Sequence, residues 1–391
     1  MNIERLDRMR RAMERERLDA LVLRLPENVL LLSGYWPMLG ASTLVFPRES
    51  LAALLIPECF LSETQPAVWE AEVKAFGFGL LGAPDAAECL RSFLSAMPHR
   101  AGWKRIGYEG SFRMVAPAWQ SSETLLATAQ TKALYESAFA GAELVDATDL
   151  LQRERRTKTP YEADKLRIAG EISCIGLELF QRIVAPGISG VELVAAVEAE
   201  VMAKGTGYRG AQRVRGWAQV ATGAAESAVG YRMNEFLTRR DLQSGDVALL
   251  ELGVVADGYW ADRTRVRVAG RPSDEQSKIF ETLRSAQEAA IGAIRPGATG
   301  AEVDEAARSV IRDAGYERDF PHITGHGLGF GYHESAPILG PGSGDVLEAG
   351  MLTSVEPGIY NSRAGGFRIE DDVLVTESGG EVLGACVKAL G

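Results

Sequence analysis

Two octapeptides, PGISGVEL from Pro186 and PGATGAEV from Pro296, share the pattern P-G-x-[S/T]-G-x-E-[L/V]. In each, a hydroxyl residue (Ser189, Thr299) stands three positions before a glutamate (Glu192, Glu302), the signature of a capping box that opens a helix. A helical stretch precedes each copy, and another follows it and runs to a glycine, Gly205 or Gly315. The shared positions and flanks point to an ancestral duplication. The offset of 110 residues is too long for a solenoid repeat. It predicts two related α+β halves packed about a pseudo-twofold axis.

At 391 residues the chain exceeds one ordinary core, so a second domain is expected ahead of the duplicated region. Residues 3–18 carry apolar positions at helical spacing, Ile3, Leu6, Met9 and Met13 among them. LDALVLRLPENVLLLSGYW reads as a strand, a proline-containing turn and a second strand. STLVFP, SLAALLIP and WKRIGYEG read as further strands, which gives a small α/β domain. A basic run from Arg153 to Lys158 then meets Thr159-Pro160-Tyr161-Glu162, an N-cap with proline in the first turn. The boundary is placed at 155, with domains 1–155 and 156–391.

In the second domain, DVALLELGVVADG and YWADRTRVRVAG read as a hairpin turning at Asp257-Gly258. MLTSVEPGIY and GFRIEDDVLVTE read as a second pair of strands. Acidic residues interrupt these apolar segments: Glu251, Asp262, Glu356 and Glu370. A buried carboxylate is costly without a partner. Nearby, DFPHITGHGLGFGYHESAP holds His322, His326 and His333, three of the four histidines; His99 lies far upstream. Four carboxylates balance two divalent cations, and oxygen-rich ligation with one imidazole suits Mn, Co or Zn. Two such ions can hold a bridging hydroxide and polarise a carbonyl. The glycines around the histidines are read as allowing tight backbone bends.

The ordered set ELGVVADGYWADRTR, GHGLGFGYHE, SVEPGIY and FRIEDD resembles the pita-bread metallopeptidases, the prolidase and aminopeptidase P group. PEN and LSGYW in the first domain resemble the creatinase/prolidase N-terminal domain. The resemblance implies a creatinase-like α/β domain followed by a pita-bread catalytic domain. It further implies metal ligation by Glu251, Asp262, His326, Glu356 and Glu370, with Asp262 and Glu370 bridging two ions, Mn first, then Co or Zn. Glu356 would also shuttle the proton, His333 and His322 would face the substrate, and Arg368 would support the site. The implied activity is hydrolysis of the Xaa-Pro bond of dipeptides or short peptides by a dinuclear metal-bound hydroxide, in a homodimer.

Two positions depart from that pattern. Glu251 stands where the family has aspartate, and the family's upstream histidine is absent, with Tyr231 beside its place. These departures keep open an alternative, a related non-peptidase hydrolase or lyase acting on a small compatible solute. A net charge of -11 argues against a nucleic-acid partner, and no apolar run has the length of a membrane span. Cys59, Cys89, Cys174 and Cys386 show no paired spacing, so no disulfide and a cytoplasmic location are expected.

Overall fold

The computed structural model describes the chain except residues 65–66, 80, 84, 112–114, 123–127 and 232–238. It comprises two compact units, Met1–Arg155 and Arg156–Gly391.

In the first unit a six-stranded mixed sheet runs in the order Ala71–Phe76, Ala52–Pro57, Thr43–Pro47, Ala20–Leu23, Arg105–Tyr108, Glu143–Asp146. Val22, Val45, Leu55 and Ile106 from the sheet pack with Leu90, Phe93, Leu94 and Leu134 from helices. PENVLLLS is a helix, Pro26–Ser33, and not the second strand read from the sequence. Proline begins its first turn, and Gly34 in the left-handed region (φ 75°) ends it. All eight residues are buried, so the helix is apolar all round and shows no 3.6-residue stripe to distinguish it from a strand.

The second unit carries the duplication. Thr159, Ser189 and Thr299 each form a reciprocal capping box with the glutamate three residues on. They open helices Pro160–Ile183, Gly190–Gly205 and Gly300–Asp313. The two P-G copies make equivalent bonds. Gly187 N donates to Leu242 O and Gly297 N to Leu347 O, while Leu242 N donates to Ile188 O and Leu347 N to Ala298 O, all at 2.8 Å. Both glycines have positive φ (95° and 87°), which the turn requires.

Strands Val214–Thr222, Val247–Ala256 and Tyr259–Val268 form an antiparallel sheet. Its last two strands are joined by Asp257-Gly258 with φ of 50° and 91°, the positive pair that a type I′ hairpin needs. Alternation along each strand sorts the faces. Ala218, Val220, Leu250, Leu252, Val254 and Ala261 pack with helices Pro160–Ile183 and Gly190–Gly205. Glu251, Asp262 and Thr264 therefore point to the opposite face.

A five-stranded sheet follows in the order Glu334–Leu339, Gly325–Gly327, Leu352–Val355, Asp371–Thr376, Gly379–Val382. Helices Asp274–Ala293 and Gly300–Asp313 supply its core through residues such as Leu283, Ala286, Val303 and Ala307. The second strand pair read from the sequence is broken in two. Leu352–Val355 pairs with Asp371–Thr376, whereas Gly358–Asn361 pairs with Gly365–Arg368 in a separate ribbon. Glu356 and Glu370 sit at the two breaks rather than within strands, because the chain changes sheets there.

One further expectation is corrected. Cys174 and Cys386 are joined in a disulfide across 212 residues, while Cys59 and Cys89 are free. Local spacing carries no signal for a pair brought together only by the folded chain.

Candidate metal centre

Glu370 is drawn to the strand that carries Asp262, close enough for the Asp262 charge to act on its carboxyl. Asp262 is on strand Tyr259–Val268, and Glu370 is anchored to that strand by its own N–H on Thr264 O (3.1 Å) and by Thr264 Oγ1 donating to Glu370 Oε2 (2.7 Å). Asp262 N donates to Asp372 Oδ1 (3.2 Å). His326 comes from the short strand Gly325–Gly327 and places Nε2 3.5 Å from Asp262 Oδ2 and 3.5 Å from Glu356 Oε1. Its Nδ1 is engaged with Gly327 O at 3.0 Å, which leaves Nε2 facing the cluster. Ser354 Oγ donates to Glu356 Oε1 (3.3 Å).

Gly329 in this run does have positive φ (134°), but the two glycines flanking His326 serve a different purpose from the one read in the sequence. Neither Gly325 nor Gly327 has positive φ. A Cβ on Gly325 would lie 2.0 Å from Ser354 O, and one on Gly327 would lie 2.1 Å from Ala336 O. Close approach of neighbouring backbone, rather than bending, demands glycine at both positions.

Among the described residues, two groups of side chains could hold a cation, Asp262–His326–His333 and His326–Glu356–Glu370, with potential ligand atoms within 4.8 Å of one another in each group. Ligand atoms on one small divalent ion lie about 3–3.5 Å apart, as metal bonds near 2.1 Å require. Burial and then the neighbouring carboxylates push both Asp262 and Glu370 well above the usual carboxylate range. Asp262 Oδ1 and Glu370 Oε1 are buried without a hydrogen-bond partner. Crowded carboxylates with unsatisfied inward oxygens fit a divalent cation, which replaces the missing partner and favours their charged forms.

Glu251 lies in neither group. Tyr332 donates its hydroxyl to Glu251 Oε1 (2.5 Å), and Arg368 Nη2 pairs with Oε2. Burial raises the Glu251 carboxyl, but Arg368 and Tyr332 reverse the effect and hold it below its ordinary value. Arg368 also donates to Thr264 Oγ1 and Tyr360 OH, each at 3.0 Å, and its Nε lies 3.9 Å from Glu356 and 4.0 Å from Glu370.

His333 stands at the exposed edge, its ring 4.3 Å from that of His326. The surrounding walls and then His326 push its imidazole down to about 4, so it is neutral near pH 7. Its loop is pinned by Glu334, which accepts from Lys158 Nζ (2.9 Å) and Phe330 N (2.8 Å). His322 is outside both groups: Nε2 bonds with Tyr360 OH (3.0 Å) and Nδ1 with Ile323 O (2.7 Å). Tyr231 packs its ring 5.2 Å from Tyr360. Sequence reading missed Tyr332, Tyr360 and Thr264. Each is an ordinary strand or loop residue by type, and the only hint was position: Thr264 two after Asp262, Tyr332 directly before His333, and Tyr360 closing SVEPGIY.

The Creatinase/Prolidase N-terminal domain profile matches residues 5–157, and the Metallopeptidase family M24 profile matches 164–377. The chain is 29% identical to the uncharacterized peptidase YqhT of Bacillus subtilis, over 97% of both chains. It is 35% identical to an Xaa-Pro dipeptidase of Lactobacillus helveticus over 235 residues, 60% of this chain and 61% of that one. Among solved structures it is similar to an Xaa-Pro dipeptidase from Bacillus anthracis, with TM-score 0.79, 27% identity and coverage of 100% and 99%. A prolidase from Pyrococcus horikoshii matches with TM-score 0.79 and 26% identity over 99% of this chain and all of that one. The fold, the acidic and imidazole side chains grouped about His326 and a profile spanning more than half the sequence agree: this chain belongs to metallopeptidase family M24.

Proposed function

We propose that the chain is a divalent-cation-dependent peptidase cleaving the Xaa-Pro bond of dipeptides or short peptides, with Arg156–Gly391 as the catalytic unit. The observation that carries this reading is His326, whose Nε2 lies 3.5 Å from both Asp262 and Glu356 and which groups with Glu356 and Glu370, beside buried oxygens of Asp262 and Glu370 that have no hydrogen-bond partner. Relatives named Xaa-Pro dipeptidase and prolidase favour a peptide substrate over a small compatible solute.

Asp262, His326, Glu356 and Glu370 would hold the cation, for which manganese is our first candidate and cobalt or zinc the next. When bound, such an ion acidifies water and polarises a carbonyl. Glu356 is half-buried, and Ser354 orients Oε1 beside His326. It would take a proton from the attacking water and return it to the leaving nitrogen. His333, neutral at the edge of the cluster, would hydrogen-bond the substrate carbonyl as it gains negative charge. Arg368 and Thr264 fix the carboxylates in position. Tyr231 and His322 border this arrangement through Tyr360 rather than entering it.

Glu356→Gln tests the assignment. Hydrolysis of an Xaa-Pro dipeptide should fall by about 10²–10⁴-fold with the circular dichroism spectrum unchanged. An active variant removes Glu356 from proton transfer. A homodimer is the quaternary state we propose, checkable by light scattering. Among the described residues no helix is long and apolar enough to cross a membrane. The Cys174–Cys386 bond removes the cysteine argument for a cytoplasmic location.

A further inference from the structure

Gln287 lies on helix Asp274–Ala293 and is fully buried. Leu283, Ala286 and Ala290 of the same helix pack in the apolar core, so an amide at 287 needs its hydrogen bonds satisfied. Among the described residues it makes three: Nε2 donates to Val355 O (2.9 Å) and to Ile369 O (3.2 Å), and Oε1 accepts from Lys388 Nζ (2.6 Å). An ammonium can only donate, so the amide oxygen faces Lys388 and both N–H groups face the carbonyls.

Val355 and Ile369 stand directly before Glu356 and Glu370. Each carbonyl shares one planar peptide unit with the N–H of the glutamate that follows. That N–H is held as well: Glu356 N donates to Thr324 O (2.7 Å) and Glu370 N to Thr264 O (3.1 Å). Both peptide planes are therefore gripped at both edges, and one side chain is common to the two. A plane held at its oxygen and its N–H fixes the Cα from which the glutamate side chain departs. Both units lie at the breaks between strands, where a side chain supplies donors that a sheet ladder supplies elsewhere.

Gln276, on the same helix and also buried, makes a matched set of bonds in another place. Its Nε2 donates to Gly245 O (3.0 Å) and Ala364 O (3.4 Å), and its Oε1 accepts from Ser273 N (2.9 Å). Neither of those carbonyls adjoins a residue of the candidate centre.

We propose that Gln287 is a positioning residue of the metal centre, one amide that sets the placement of Glu356 and Glu370 relative to each other. The proposal rests on the metallopeptidase reading and adds to it a side chain that acts through the backbone of two ligand residues.

Equilibrium dialysis of the metal-stripped full chain against Mn²⁺ tests this, at a temperature well below the melting point of every variant. Gln287→Met removes both donors. Gln287→Glu keeps the shape and the Lys388 contact but offers the carbonyls at most one donor. Both should raise the Mn²⁺ concentration at half-saturation by about 10–100-fold. With Mn²⁺ saturating, kcat on an Xaa-Pro dipeptide should fall by about tenfold or more, with KM within about twofold of wild type. Gln276→Met should lower the melting temperature as Gln287→Met does and leave Mn²⁺ affinity unchanged. Wild-type Mn²⁺ affinity in both Gln287 variants overturns the proposal. So does an equal loss of affinity in Gln276→Met, which would trace the effect to general loosening of the helix. A wild type that binds Mn²⁺ and cleaves no Xaa-Pro dipeptide overturns the substrate reading alone, since the metal titration still decides the part played by Gln287. A wild type that binds no Mn²⁺ overturns both.

Discussion

Glu27, buried, and Glu251, half-buried, are both carboxylates beside an arginine, yet their environments act in opposite directions. Glu251 receives Tyr332 and Arg368 and is held low. Glu27, in the first unit, lies 3.6 Å from Arg155, and its Oε2 is buried without a hydrogen-bond partner. Arg155 meanwhile donates to Asn28 Oδ1. Burial outweighs Arg155 and raises Glu27 to about 7. The folded state therefore holds a proton that the unfolded chain releases near 4.5. This contribution to stability is fully present below about pH 4.5 and is lost as pH rises through 7, on the order of 3 kcal/mol in total. Thermal melts of the full chain should show Glu27→Gln reducing the fall in Tm between pH 5 and pH 8. Parallel curves for variant and wild type would show that Glu27 is ionised throughout. The carboxylates of the candidate centre stood out in the sequence because a charge inside an apolar segment asks for a partner. Tyr332 was not, because a tyrosine beside glycines asks for nothing.

Glycine has different reasons in different elements, and composition alone does not separate them. Gly258 completes a positive-φ hairpin, which the Asp-Gly pair announced. Gly325 sits in an unstrained strand but under a carbonyl of the neighbouring strand, a contact set by three-dimensional pairing. Gly325→Ala should cost more than about 2 kcal/mol in denaturant unfolding, because backbone and not a flexible side chain must move. Gly292 is the matched control: it lies within helix Asp274–Ala293 with open space around its Cβ direction. Gly292→Ala should stabilise by roughly 0.5–1 kcal/mol. Equal effects at the two sites would refute the close-approach argument. The same distinction explains the element-level errors. Pro26–Ser33 lost its helical stripe to complete burial, and the strands around Glu356 and Glu370 hid their breaks because both halves are apolar. The capping boxes were readable because their hydrogen bonds close within four residues.

Across the catalytic unit, duplication was the legible part and long-range stitching the illegible one. Residues 383–391 lie on buried charges that no local pattern announces. Gly384 O accepts from Arg263 (3.0 Å), Val387 O accepts from Arg265 (3.0 Å), and Lys388 Nζ pairs with Asp371 (2.7 Å). Arg263 and Arg265 also hold Asp371, which follows Glu370 in sequence, and Arg263 lies beside Asp372, which receives the Asp262 N–H. Cys386 ties this segment to helix Pro160–Ile183 through Cys174. The crosslink spans 212 residues, so its removal enlarges the conformational freedom of the unfolded chain, at a cost of roughly 2–5 kcal/mol. Cys386→Ser should therefore lower the Tm, and reductant should lower the wild-type Tm to the same value while leaving the variant unmoved. Hydrogen exchange should rise first at 383–391 and then at Asp371–Thr376, the strand those charges brace. Exchange unchanged in that strand would mean that the segment is tied to the site's supports without holding them.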